Sequence, residues 1–91
     1  MITQIEITDY NPEAGLIMNA TGGKVQITHI GEGSCSISGD KDGLITLATA
    51  LLTVAHNIGK AHPHAHMHVD EYGLLDSGSS SFVIGQLKDA V

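Results

Sequence analysis

Four histidines recur at every second position in the stretch A-H-P-H-A-H-M-H-V-D. Because successive side chains of a β-strand point to opposite sides of the sheet, this alternation predicts a strand with one polar and one apolar face. The polar face would carry imidazoles, which bind metal ions, titrate near neutral pH and form hydrogen bonds. Its members are His62, His64, His66, His68 and Asp70.

A metal site is the first chemistry that this strand could support. A His-x-His pair on a strand places two imidazoles on one side, roughly 6.7 Å apart at the backbone, where both rings can reach one ion. The candidate ligands of Zn²⁺, Ni²⁺ or Cu²⁺ are His64, His66 and His68. A dedicated site also needs a third ligand and supporting carboxylates, and no defined spacing ties His29, Asp70 or Glu71 to the motif. We therefore expect no resident cofactor, and adventitious binding of these metals.

Charge favours a protein partner. The 91 residues include four lysines, no arginine and ten carboxylates, for a net charge of −6. Nucleic-acid binding requires a basic patch, so that function class is excluded, whereas a basic protein would be attracted. The polar strand face and the residues after it are the predicted partner-binding surface. Its residues are His64, His66, His68, Asp70 and Glu71.

Catalysis is not predicted. The serines of D-S-G-S-S-S follow no strained turn before a helix, so this segment is better explained as a turn into the last strand. Gly31-Glu32-Gly33 precedes a strand, so its amides would not lie at a phosphate-binding helix N-terminus. Cys35 alternates with serines in S-C-S-I-S and is predicted to be a packed thiol on the inner side of a strand. We expect a protein that is not an enzyme.

Length and hydropathy predict a single domain over residues 1–91. The hydrophobic fraction is 42% and the charged fraction 15%, values typical of a folded globular protein. No apolar run approaches the ~20 residues of a membrane span, and the N-terminus does not read as a signal peptide. The expected location is the cytoplasm, without membrane contact.

One helix is predicted over residues 41–57. Asp40 stands at the N-cap position, Asp42 lies in the first turn, and Asn57-Ile58-Gly59 ends the helix. A single apolar stripe with three- and four-residue spacing is expected to pack on a sheet. The stripe comprises Leu44, Leu47, Ala48, Leu51, Leu52 and Ala55.

The remaining segments predict a two-layer α+β sandwich. Its mostly antiparallel sheet would have about five to six strands, with the helix on one face, in the order β-β-β-β-α-β-β. Besides the histidine strand, strands are predicted at residues 2–8, 16–20, 24–30, 34–38 and 80–87. The apolar sheet face would carry Ile5, Ile7, Val25, Ile27, Ile37, Met67 and Val69.

Three segments together resemble a known family. They are S-I-S-G-D-K-D-G-L-I-T-L-A-T-A-L-L at residues 36–52, H-M-H-V-D at 66–70 and L-L-D-S-G-S-S-S-F-V-I-G-Q-L at 74–87. This order is similar to that of small bacterial immunity proteins of polymorphic toxin systems. The resemblance implies neutralisation of a cognate toxin by binding, and the negative charge fits a basic toxin. The alternatives are a small metal-binding protein and a domain that forms a homodimer by pairing edge strands.

Overall fold

The computed structural model describes residues 1–18, 22–61, 64–69 and 73–87. Within these ranges β1 pairs antiparallel with β2, and β3 pairs antiparallel with β4, giving two two-stranded sheets. The α+β class is confirmed, whereas a single sheet of five to six strands is wrong for the described residues. The elements are β1 (Val25–Gly31), β2 (Ser34–Gly39), α1 (Lys41–Asn57), β3 (His66–His68) and β4 (Val83–Gly85).

The N-terminal segment is not a strand, although residues 2–8 alternate. Its backbone is bonded by a side chain instead: Asn57, buried at the end of α1, accepts a hydrogen bond from the Tyr10 amide at 2.8 Å and donates one to the Thr8 carbonyl at 3.0 Å. The Asn57 side chain thereby makes the hydrogen bonds to the backbone of Thr8 and Tyr10 that a neighbouring strand would otherwise have made. A strand was also predicted at residues 16–20. Residues 16–18 do not form one, and residues 19 and 20 lie outside the described ranges.

The hairpin of β1 and β2 turns at Gly31-Glu32-Gly33, between the strands predicted at residues 24–30 and 34–38. Val25 is buried against α1, but burial decreases along the hairpin toward the turn. Ile27 is half-buried, and its partner Ile37 and then Cys35 are exposed. The prediction of a packed Cys35 thiol is therefore wrong, because this end of the hairpin projects beyond the elements that cover it.

A third segment, residues 74–80, runs along the edge of β1 that β2 leaves free. The Val25 amide donates to the Leu74 carbonyl at 2.9 Å, and the Ile27 amide donates to Ser79 Oγ at 2.8 Å. The predicted turn before β4 is confirmed: the Ser79 amide donates to the Asp76 carbonyl, and Gly78 has the positive φ of 84° that this turn position requires. This segment connects the two sheets.

The first turn of α1 lies directly on the backbone of residues 22–24. Asp40 is the N-cap, and its Oδ1 accepts hydrogen bonds from the Gly43 amide at 2.7 Å and the Lys24 amide at 3.1 Å. A Cβ atom at Gly43 would collide with the Lys24 carbonyl, so only glycine permits this approach. Thr46 Oγ1 then donates to the Gly22 carbonyl at 2.8 Å. The G-D-x-x-G-L segment is thus a packing motif as well as a helix start.

The helix has the predicted bounds but a different buried face. Leu44, Leu51 and Leu52 are 43%, 50% and 47% exposed, so the predicted apolar stripe is wrong apart from Leu47. Threonines fill the core side instead. Thr49 and Thr53 satisfy their hydroxyls within the helix: Thr53 Oγ1, for example, donates to the Thr49 carbonyl at 2.7 Å. The buried helix residues are Gly43, Thr46, Leu47, Thr49, Ala50, Thr53, Val54 and Asn57.

Two apolar clusters form the core between α1 and the sheets, and Ile84 of β4 packs against both. Of the predicted sheet face, Val25, Met67 and Val69 are buried, and Ile5, Ile7 and Ile27 are half-buried. The buried members are Met18, Ala50, Val54 and Met67 in one cluster and Val25, Leu47, Val69 and Leu74 in the other. Among the described residues, no helix has the length and hydropathy of a membrane span.

The close contact at Gly43 predicts that replacing this glycine with alanine destabilises the protein, which is opposite to the usual effect in a helix. In an exposed helix interior, Gly→Ala stabilises by about 1 kcal/mol. Gly43→Ala should instead lower the free energy of unfolding by ~1–3 kcal/mol, because the new methyl group meets main-chain atoms that cannot rotate away. Urea denaturation measures the change, with the exposed Lys41→Ala as the control. A Gly43→Ala variant as stable as the wild type would contradict this packing.

The rotation of α1 about its own axis, which decides which of its faces is buried, can be tested separately. Met67→Ala removes a buried side chain and should cost ~2–5 kcal/mol. Leu51→Ala should cost less than about 1 kcal/mol, because half of that side chain already faces water. Equal losses in denaturant unfolding would place Leu51 in the core and reject the observed rotation.

Candidate functional site

The outer side of α1 is apolar and exposed. Leu44, Ala48, Leu51, Leu52 and Ala55, here called the leucine stripe, have the spacing of one helix face, and all but the half-buried Ala48 are exposed. The helix carries no charged residue from position 43 to position 55. An apolar face of a surface helix is normally packed against another element. The leucine stripe is therefore a surface that lacks its covering within the described part of this chain.

Sequence reasoning missed this surface because it assigned the leucines to the core. The signal was nevertheless present, since the helix carries two uncharged stripes of helical spacing. One runs through residues 43, 46, 47, 50, 53, 54 and 57, and the other through 44, 48, 51, 52 and 55. Only one of them can face a single sheet layer.

The histidine strand is shorter than predicted but has the predicted orientation. β3 comprises only three residues, of which Met67 is buried under α1 while His66 and His68 are exposed on the opposite side. His64 precedes the strand in a turn and is also exposed. Of the other predicted members of the polar surface, His62, Asp70 and Glu71 lie outside the described residues.

His66 and His68 form a ring pair. Their Nε2 atoms are 2.9 Å apart, and the rings meet edge to face with centroids 4.7 Å apart. His66 Nδ1 lies 3.0 Å from the His64 carbonyl oxygen, which only accepts, so Nδ1 carries the proton. In the neutral pair, Nε2 of His66 is therefore the acceptor and Nε2–H of His68 the donor.

The predicted set of three metal ligands is not assembled in the described residues. No group of three or more His, Cys, Asp or Glu side chains comes together there in a way that could hold an ion. Two of the predicted ligands, His66 and His68, do converge through their Nε2 atoms. The observed contribution of His64 to this pair is its main-chain carbonyl.

A charged cluster lies at the C-terminal end of α1. His56 Nε2 is 2.6 Å from Asp9 Oδ1, and Lys60 Nζ is 3.8 Å from the same oxygen. The hydrogen bond from His56, followed by the charge of Lys60, lowers the pKa of the Asp9 carboxyl below its ordinary value. With Asn57, this cluster holds the N-terminal segment against the helix.

The segments considered for catalysis have structural roles. Ser79 Oγ accepts from the Ile27 amide and donates to the Ser80 carbonyl at 3.1 Å, so its hydroxyl links β1 to the segment before β4. Gly31-Glu32-Gly33 forms the hairpin turn rather than a phosphate loop. Both outcomes confirm the sequence interpretation.

A model of the Immunity protein 32 family matches residues 34–87, which is more than half of the chain. The match covers β2, α1, β3 and β4, and so includes both the leucine stripe and the histidine pair. No curated protein and no solved structure matches significantly.

The Asp9 cluster yields a pH prediction. Asp9 should titrate below 3.8 in an NMR titration, and His56→Gln should move its pKa upward by removing the largest cause of the shift. A carboxyl whose pKa is lowered by folding adds stability above its unfolded pKa, and this is lost as the pH falls through the folded pKa. The stabilisation should be small, because Asp9 is exposed. An unchanged Asp9 pKa in His56→Gln would contradict the contact.

Proposed function

Because the chain belongs to the Immunity protein 32 family, we propose that it neutralises a cognate bacterial toxin by binding to it, without catalysing a reaction. The observation that carries this proposal is the leucine stripe, an exposed apolar face on a helix without charged residues over residues 43–55. Uncovered apolar faces of this kind are typical of protein-interaction sites.

The energetics favour a partner on the leucine stripe. Burying a leucine side chain completely is worth about 1.5–3 kcal/mol relative to full exposure. Leu44, Leu51 and Leu52 each keep close to half of their surface exposed. Covering them would therefore contribute a part of this burial free energy for each of the three leucines. The stripe is rigid because its helix is anchored at both ends, by Asp40 and by Asn57. Little conformational entropy is therefore lost when a partner binds.

Charge favours a basic toxin. The net charge of −6 without any arginine attracts a positively charged partner and repels an acidic one. Such complementarity mainly raises the association rate and suppresses wrong partners, while the apolar contact supplies affinity. The complex should therefore associate more slowly as the salt concentration rises.

The histidine face is the alternative contact surface. His64, His66 and His68 are exposed on the side of β3 that points away from α1, and the predicted surface extends to Asp70 and Glu71. The two surfaces point in different directions, so variants on each can distinguish them. We place the toxin on the leucine stripe because the histidine face is polar and is already compatible with water.

The test takes a candidate toxin domain from the genes that neighbour the one for this chain and co-expresses the two proteins in a bacterial host. Leu51→Asp and Leu52→Asp should each abolish protection from growth arrest and weaken the measured complex by about 100-fold or more, because a carboxylate would be buried against an apolar surface. Both positions face water in the isolated chain, so folding is retained and circular dichroism can verify it. Ile30→Asp, at a 65% exposed position on β1, is the matched control and should keep protection.

Three outcomes would overturn parts of this proposal. Loss of protection in His66→Gln and His68→Gln with retention in Leu51→Asp would move the contact to the histidine face. A purified chain that is dimeric by light scattering and becomes monomeric in Leu51→Asp would show that the leucine stripe binds a second copy. A changed mass of the toxin recovered from the complex would reveal a reaction and contradict neutralisation by binding.

A further inference from the structure

The spacing of the His66 and His68 rings matches two neighbouring positions around a metal ion. Imidazole nitrogens bind first-row metals at about 2.0–2.1 Å. An ion equally distant from two Nε2 atoms that are 2.9 Å apart would have an N–metal–N angle of about 90°. That is the angle between adjacent ligands in square-planar, tetragonal and octahedral complexes. A tetrahedral ion requires a wider angle and hence a longer separation of the two nitrogens.

The orientation of the pair is partly fixed before any ion arrives. His66 Nδ1–H donates to the His64 carbonyl oxygen, which leaves Nε2 of His66 unprotonated and on the side of the ring that faces His68. A hydrogen bond from the second ring nitrogen to a carbonyl is the usual means by which proteins orient a metal-binding histidine. The buried Met67 anchors the strand between the two rings, so their backbone positions are constrained.

Binding of an ion requires one proton to move. In the neutral pair, the proton between the rings belongs to Nε2 of His68. This proton must leave before an ion can bind both Nε2 atoms, and the ion then lies to one side of the line that joins them. The His68 ring is exposed, so this proton is given to water while water protonates Nδ1 of the same ring. Both imidazoles then remain neutral and each donates one lone pair, so binding releases no net proton from the neutral pair.

We propose that His66 and His68 form an open two-imidazole site for one divalent late transition-metal ion, with Cu²⁺ and Ni²⁺ preferred over Zn²⁺. Cu²⁺ and Ni²⁺ favour square-planar or tetragonal surroundings with nitrogen ligands, whereas structural Zn²⁺ sites are tetrahedral. Water fills the remaining positions, because both rings lie at the surface. This inference goes beyond toxin binding and does not depend on it.

The test titrates the metals alone into protein without a histidine tag. Calorimetry with Cu²⁺, Ni²⁺ and Zn²⁺ should give one ion per chain at this site, with both Cu²⁺ and Ni²⁺ bound more tightly than Zn²⁺. Electron paramagnetic resonance of the Cu²⁺ form should show two imidazole nitrogens. His66→Gln and His68→Gln should each weaken binding by tenfold or more. His29→Gln, at another exposed histidine, is the matched control.

The role assigned to each of the three histidines can be tested with single variants. His64→Gln should weaken binding less than His66→Gln does, because it removes the ring but keeps the carbonyl that orients His66. Equal losses in His64→Gln and His66→Gln would overturn the two-histidine assignment in favour of the three-ligand set. Unchanged affinity in the His66→Gln, His68→Gln double variant would show that the ion binds elsewhere. Tighter binding of Zn²⁺ than of Ni²⁺ would overturn the preference drawn from the 90° geometry.

Discussion

The contact between the first turn of α1 and the backbone of residues 22–24 determines where the other elements can lie. Asp40 bonds the amides of Gly43 and Lys24 with one carboxylate oxygen, and Gly43 lets the helix approach the Lys24 carbonyl directly. Since β1 begins at the next residue, Val25, this contact fixes the hairpin against the helix. Val25 then bonds residues 74 and 76 through its backbone, so the segment that leads into β4 is positioned by the same contact.

The threonine-lined inner face of α1 explains why its leucines lie on the outer side of the helix. A threonine can be buried in a helix when its hydroxyl donates to a carbonyl in the preceding turn, as Thr49 and Thr53 do. The core thereby closes with small side chains and without Leu44, Leu51 or Leu52. These leucines remain outside on the helix, where they form the surface proposed for the toxin.

The three residues of β3 lie between the apolar core and the exposed surface. Met67 enters the core cluster that contains Ala50 and Val54, and its two neighbours are thereby forced to the opposite side. His66 and His68 consequently share one side of the strand and approach each other through their rings. The leucine stripe and the histidine pair are thus both by-products of how the core is closed, although they point in different directions and suit different ligands.

The sequence by itself determined the features that arise from local backbone preferences. The bounds and N-cap of α1, the turn at residues 31–33, the turn at Asp76 to Ser79 and the inward position of Met67 all follow from neighbouring residues. That His66 and His68 lie on the side of β3 opposite Met67 was predictable for the same reason, because alternation in a strand is a local property. The match to the Immunity protein 32 family, over residues 34–87, includes α1, the turn at Asp76 to Ser79 and Met67.

Only the tertiary structure decided which surfaces are covered. The helix presents two stripes of helical spacing, and a hydropathy pattern favours leucine over threonine because it does not register hydroxyls that are satisfied inside the helix. The alternation at residues 2–8 likewise predicted a strand, but the buried Asn57 side chain, 47 residues away from Tyr10, took the place of a strand partner. Burial depends on contacts between residues distant in sequence, so the leucine stripe and the convergence of the two imidazoles could be recognised only once the chain was folded.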